Sequence, residues 1–135
     1  MKIYLAARFS RKDELNGHAD QLRATGHEVT SRWLTGAHEW SGVADNEIPA
    51  ADQARFARED IEDIDRADVI VCFTEAPHAG PARGGRHVEA GYALGIGKRI
   101  LAVGWRENVF YALPQVEFFP AWDRALAALN ETAVS

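Results

Sequence analysis

The stretch Val69-Ile70-Val71-Cys72-Phe73-Thr74 decides the fold. A run of apolar and β-branched residues without polar alternation reads as a strand covered on both faces, the habit of a parallel sheet with helices on either side. Upstream of it, Ala51 to Ala67 has helical spacing. Downstream, Glu75 to Arg86 holds Pro77, Gly80, Pro81, Gly84 and Gly85 and reads as a loop. A helix over His87 to Gly97 follows, then a second continuous strand over Arg99 to Gly104. Toward the amino end, Lys2 to Ala7 reads as a strand, and Ser10 as the cap of a helix with Asp13 and Glu14 in its first turn and Gly26 at its stop. Glu28 to Leu34 alternates as another strand, and Thr35 to Ala50 is a long loop of the kind that forms lids. A short strand near Val116 to Phe118 and a helix from Ala121 to about Asn130 close the chain. This alternation predicts a single α/β domain with a flavodoxin-like, doubly wound, parallel five-stranded sheet. Ligands of such sheets lie at the carboxyl ends of the strands, so the loops Ala7 to Ser10, Glu75 to Arg86 and Trp105 to Asn108 are expected to meet.

Composition narrows the function. The chain has 135 residues, which suits one domain, and its net charge of -5 excludes the basic footprint of a nucleic-acid binder. A small anionic ligand at a local cationic pocket stays open. The single cysteine excludes an internal disulfide, no secretion signal is visible, and no apolar stretch nears the ~20 residues of a membrane span. A cytoplasmic protein away from membranes is expected. The five histidines lack metal-ligand spacing, and there is neither a Walker A loop nor a GxGxxG, so no metal and no cofactor are expected.

Two acids stand where apolar residues belong. Advancing 100° per residue from Phe56 places Phe56, Ala57, Ile61, Ile64 and Ala67 on one arc, with Asp60 at its centre and Asp63 at its edge. An acid there needs partners or its pKa rises. On spacing alone, a satisfied structural Asp describes Asp60 equally well. Glu89 falls among Tyr92, Ala93 and Ile96 in the first turn of its helix, where the helix dipole favours the ionised form. A favourable helix-start acid describes it equally well. Together, one acid raised and one lowered are what an acid and a nucleophile at a glycosidic bond require.

Donors surround these acids. Arg8 and Ser10 after the first strand, and Arg83-Gly84-Gly85-Arg86-His87 before Glu89, suit a phosphate or hydroxyl at a helix start. Exposed loop charges are the plainer reading of Arg83 and Arg86. Phe9, Trp33 and Trp40 can stack on a base, although such residues more often pack.

Three segments resemble the nucleoside 2-deoxyribosyltransferases and their relatives, the (deoxy)nucleoside monophosphate N-glycosidases. They are Lys2-Ile3-Tyr4-Leu5-Ala6-Ala7-Arg8; Arg58-Glu59-Asp60-Ile61-Glu62-Asp63-Ile64-Asp65-Arg66-Ala67-Asp68; and Gly85-Arg86-His87-Val88-Glu89-Ala90-Gly91-Tyr92-Ala93-Leu94 leading into Lys98-Arg99-Ile100. The resemblance implies that Glu89 is the nucleophile, that Tyr4 holds its carboxylate, and that Asp60 assists the leaving base or orients the sugar. It implies a substrate site along Ala6, Arg8, Phe9 and Ser10, Trp40, Arg83, Gly84, Gly85, Arg86 and His87. It also implies a homodimer or larger assembly in which a neighbouring subunit donates the segment of Glu107 and Asn108. Arg83 stands where transferases of the family often carry an Asp that contacts the base. With Arg8, Arg86 and His87 this points to a 5′-phosphate, and to hydrolysis of a (deoxy)nucleoside 5′-monophosphate over base exchange. A TIR-like NAD glycohydrolase and a non-catalytic nucleotide-binding module are the competing readings.

Overall fold

The computed structural model describes residues 1–36, 47–80 and 83–134. Its strands are β1 (Lys2–Ala6), β2 (Glu28–Val29), β3 (Val69–Phe73), β4 (Arg99–Val103) and β5 (Val116–Phe119). They pair in the order β2-β1-β3-β4-β5, every pairing parallel. The helices are α1 (Lys12–Ala24), α2 (Ala50–Arg66), α3 (Gly85–Gly95) and α4 (Trp122–Val134). Every residue of β3 is buried, as its unbroken apolar sequence requires.

The period of two along β1 sorts its side chains into two cores. Ile3 and Leu5 join Leu15, Ala19 and Leu22 of α1 and Ala125 and Leu129 of α4 on one face. Tyr4 and Ala6 join Ile64 of α2 and Ala93 of α3 on the other. The chain therefore leaves β1 and its neighbour β3 toward opposite faces. This creates the crevice at the carboxyl edge where doubly wound sheets take ligands.

Two expectations need correction. The strand over Glu28 to Leu34 ends at Val29, and Arg32–Leu34 is a 3-10 turn. Local side chains end the ladder: Ser31 Oγ takes the Leu5 N–H at 2.7 Å, and Asp63 takes the Arg32 N–H at 2.9 Å. Ser10 caps nothing, because Phe9–Arg11 forms a 3-10 turn and α1 starts only at Lys12. Arg11 ends that turn with its guanidinium on Glu75 (2.7 Å) and on the Thr74 carbonyl (3.3 Å).

Glycine is required at two places along the crevice. Gly84 adopts φ 84° immediately before α3. Gly104 adopts φ +120°, and a Cβ there would lie 3.0 Å from Thr74 Oγ1. That close approach lets Thr74 Oγ1 accept the Trp105 N–H at 2.6 Å, which turns the chain away from β4.

Candidate active site

Tyr4, Asp60 and Glu89 come together on the α2/α3 face. The fully buried Tyr4 hydroxyl donates to Glu89 Oε2 across 85 residues of sequence. The floor beside them is made of small side chains, since Ala6, Cys72 and Ala102 sit abreast on β1, β3 and β4.

Burial governs the titration of both acids. It pushes Asp60 up to about 7, helped by the charges of Asp63 and Glu59 and opposed by Arg32 and by hydrogen bonding with Tyr4. It pushes Glu89 up to about 8; the Tyr4 hydrogen bond opposes this and the Asp60 charge adds to it. The expectation that the helix dipole holds Glu89 low is therefore corrected. Loss of water around a buried carboxylate outweighs the dipole, which is worth only ~0.3–1 kcal/mol at most positions. Tyr4 itself lies well above its usual value, from burial first and then from the two nearby carboxylates.

The fully buried acid of α2 is Asp63, not Asp60, which is half-buried. Asp63 accepts from Arg32 N (2.9 Å), Arg32 Nε (2.7 Å) and an Arg66 terminal nitrogen (2.9 Å). This clamp ties the turn after β2 to α2 one helical turn beyond Asp60.

The three carboxyl-edge loops do meet. Arg8 donates to the Gly80 carbonyl at 2.7 Å and faces Glu75 at 3.5 Å. Glu107, after β4, accepts the Glu75 N–H at 2.9 Å and pairs with the guanidinium of Arg86, which is buried. A polar pocket of about 290 Å3 opens here, lined by Glu75, Gly80, Gly84, Arg86, His87 and Glu107 among others. Within the chain, the Glu107 carboxylate is thus engaged by the Glu75 N–H and the Arg86 guanidinium. Asn108 caps the 3-10 turn Val109–Ala112 by accepting the Phe110 N–H at 3.0 Å. It also lines an apolar cavity of about 450 Å3 with Leu94, Phe110 and Val116, on the opposite side of His87. His87 bridges these regions, 2.9 Å from the Tyr111 hydroxyl and 3.4 Å from Glu107.

Phe9 is partly exposed and tilts against Trp33 with ring centroids 6.3 Å apart; the Trp33 indole N–H donates to the Leu5 carbonyl at 2.8 Å. This aromatic wall stands at the carboxyl end of β1. Ser10 and Arg83 are exposed, and Gly85 opens α3. Trp40 lies outside the described residues. Sequence reasoning passed over Glu75 and Arg11. The available signal was an acid directly after the most buried strand, at the edge where ligands bind. Among the described residues, no three His, Cys, Asp or Glu side chains gather as metal ligands would, and no helix is long and apolar enough to cross a membrane.

The family model "nucleoside 2-deoxyribosyltransferase" matches residues 3–119. No curated protein sequence matches the chain. Among solved structures, it is similar to a 2-deoxyribosyltransferase from Bacillus psychrosaccharolyticus (TM-score 0.70, 20% identity, covering 93% of this chain and 90% of that one). It is also similar to a 2-deoxyribosyltransferase from Leishmania mexicana (TM-score 0.65, 14% identity, 96% and 97%). A third likeness is to the CMP N-glycosidase of Clostridium botulinum (TM-score 0.55, 18% identity, 100% of both chains). At these identities the likenesses establish the flavodoxin-like α/β fold.

Proposed function

The chain belongs to the nucleoside 2-deoxyribosyltransferase family, and from that premise we propose that it breaks the N-glycosidic bond of a nucleoside or nucleotide through a glycosyl-enzyme intermediate on Glu89. The observation that carries this reading is the Tyr4 hydroxyl donating to Glu89, with the Asp60 carboxyl near enough to raise the titration of both. A carboxylate aimed by a buried hydrogen bond is positioned to attack an anomeric carbon. As the Glu89–C1′ bond forms, the C1′–N bond breaks and its electron pair leaves with the base. Asp60, in its protonated form, supplies a proton to that base. Water then attacks C1′, gives a proton back to Asp60, and releases the sugar with Glu89 restored. The Arg83 side chain, in place of the base-contacting acid the resemblance associates with transfer, supports water as the acceptor. Exposed Val88, Val109 and Phe110 near the apolar cavity support assembly with a second copy of the chain.

The test is chromatographic. Common nucleosides, deoxynucleosides and their 5′-monophosphates, and NAD, are incubated with the protein, with and without a second base. Intact-mass and peptide analysis follows an acid quench. Base release without an acceptor, with a sugar adduct on the Glu89 peptide, is expected. Product formed only with an acceptor base would replace hydrolysis by transfer. Nicotinamide release alone, or no release from any of them, would overturn the reading.

The acids also set a pH profile. Tyr4 links Asp60 and Glu89, so they titrate as a pair with apparent values about 7 and about 8. The working form carries one proton between them. With Glu89 ionised and Asp60 protonated it is the lesser of the two one-proton arrangements, because Glu89 holds its proton more firmly than Asp60. It is depleted below the lower value, where both acids are protonated, and above the higher one, where both are ionised. A bell-shaped kcat/KM with its maximum between pH 7 and 8 is expected. A flat profile from pH 5 to 9 would count against this pair.

A further inference from the structure

We infer that Arg32 is a positioning residue for the reaction: from the turn after β2 it holds the stretch of α2 that carries Asp60 in register with Tyr4 on β1. The inference rests on the reaction proposed for Glu89, with Asp60 as its acid. Consecutive residues of one turn grip the two elements concerned. Toward β1, the Thr30 N–H donates to the Ile3 carbonyl at 2.8 Å. The Ser31 hydroxyl oxygen accepts the Leu5 N–H at 2.7 Å, and the Trp33 indole N–H donates to the Leu5 carbonyl at 2.8 Å. Ile3 and Leu5 are the chain neighbours of Tyr4 on either side.

Toward α2, the Arg32 side chain spans a helical turn. Its Nε donates to Asp63 at 2.7 Å, and a terminal nitrogen donates to the Glu59 carbonyl at 3.2 Å and to Glu62 at 2.9 Å. The Arg32 N–H gives Asp63 a second bond at 2.9 Å, and the Thr30 hydroxyl donates to the Asp63 carbonyl at 2.9 Å. Asp60 lies between Glu59 and Asp63, so both ends of its turn are tied to one guanidinium. That planar fork makes several directed contacts at once, which a lysine ammonium on a flexible stem does not reproduce. Arg32 also brings charge. Asp60 faces Tyr4 of β1 and Glu89 of α3 and shares α2 with the acids Glu59 and Asp63. Arg32 is the cation that opposes their effect on it, and part of that charge is taken up by Glu62. Placement and charge therefore reach the proposed acid from a residue that touches neither Glu89 nor Tyr4.

The experiment measures kcat and KM for base release across pH 5 to 9 in wild type, Arg32→Gln, Arg32→Lys and Arg66→Gln, using whichever common nucleoside or nucleotide the wild type cleaves. Calorimetry checks that each variant is folded. Arg32→Gln is expected to lower kcat on the order of 10-fold or more with KM little changed, and to move the acidic limb of the profile to higher pH. Loss of the charge alone enlarges the protonated share of Asp60, so the fall in kcat reads placement. Arg32→Lys keeps the charge and loses the fork: kcat falls, and the acidic limb stays where wild type has it. Arg66→Gln takes a cation from the same Asp63 carboxylate but leaves the Arg32 contacts in place, and is expected to match wild type in both readouts. An Arg32 that only stabilises the fold would lower Tm while kcat and the profile stayed put, and that result overturns the inference with the Glu89 reaction left standing. Wild-type kcat in Arg32→Lys, or an equal loss in Arg66→Gln, overturns it too. Should Arg32→Gln not fold, the kcat of Arg32→Lys decides. Silence of the wild type toward every substrate would instead overturn the reaction itself, and this inference with it.

Discussion

Replacing Glu89 with glutamine is expected to lower base release by roughly 10,000-fold or more, with the fold retained. The amide has no nucleophilic oxygen anion, so no glycosyl-enzyme ester can form. Glutamine keeps the length of the side chain and an oxygen that can accept from Tyr4. The stability change has a worked sign. Glu89 and Asp60 ordinarily ionise near 4.5 and 3.8 but are pushed up to about 8 and about 7 in the folded chain. The unfolded chain therefore sheds these protons first. The stability they contribute is fully present below pH ~4 and is lost as pH rises toward 8. Glu89→Gln should flatten that decline, melting close to wild type at pH 5 and above it at pH 9. Turnover at the wild-type rate in this variant would remove Glu89 from the mechanism.

Asp63→Ala is expected to destabilise the fold by about 2–4 kcal/mol, lowering Tm by roughly 10 °C for a chain of this length. The carboxylate is fully buried and accepts from two side chains and one backbone N–H. Truncation orphans the Arg32 N–H and unfastens the turn after β2 from α2. Both arginines are partly exposed and recover water, which keeps the loss below that of a wholly buried pair. Asp60→Ala, one turn earlier on α2, is the contrasting variant. Its carboxyl resists ionisation where it sits, so its removal should cost little stability while depressing turnover. Scanning calorimetry on the two variants separates an acid that holds the fold from one that serves the site. Equal losses of stability would refute the distinction.

Much of the architecture was readable from sequence because a parallel strand covered on both faces leaves an unbroken apolar signature, as in Val69 to Phe73. The helices were placed within a few residues for the same reason. What sequence missed came from side chains competing with backbone. Ser31 and Asp63 capture N–H groups that a longer β2 would have used, and Arg11 draws the start of α1 toward β3. Such captures depend on partners 26 to 64 residues away, which no local window contains. The helical projection put an acid within reach of the core but ranked Asp60 above Asp63. A 100° step locates a residue on an arc, and does not say which arc position meets an arginine from another element. The dipole argument at Glu89 failed because it counted the helix and left out the water removed by folding.

The two cores on either side of the sheet amount to a division of labour. The side built on Leu15, Ala19, Leu22, Ala125 and Leu129 works as a keel, and the side carrying Tyr4, Asp60 and Glu89 as the workbench. A sheet one layer thick stands between them. Aliphatic exchanges in the keel can accumulate, trading one packing for another, without touching the proton inventory across the sheet. Lineages carrying this fold are free to adapt their melting point and their chemistry on separate schedules, and an engineer can do the same.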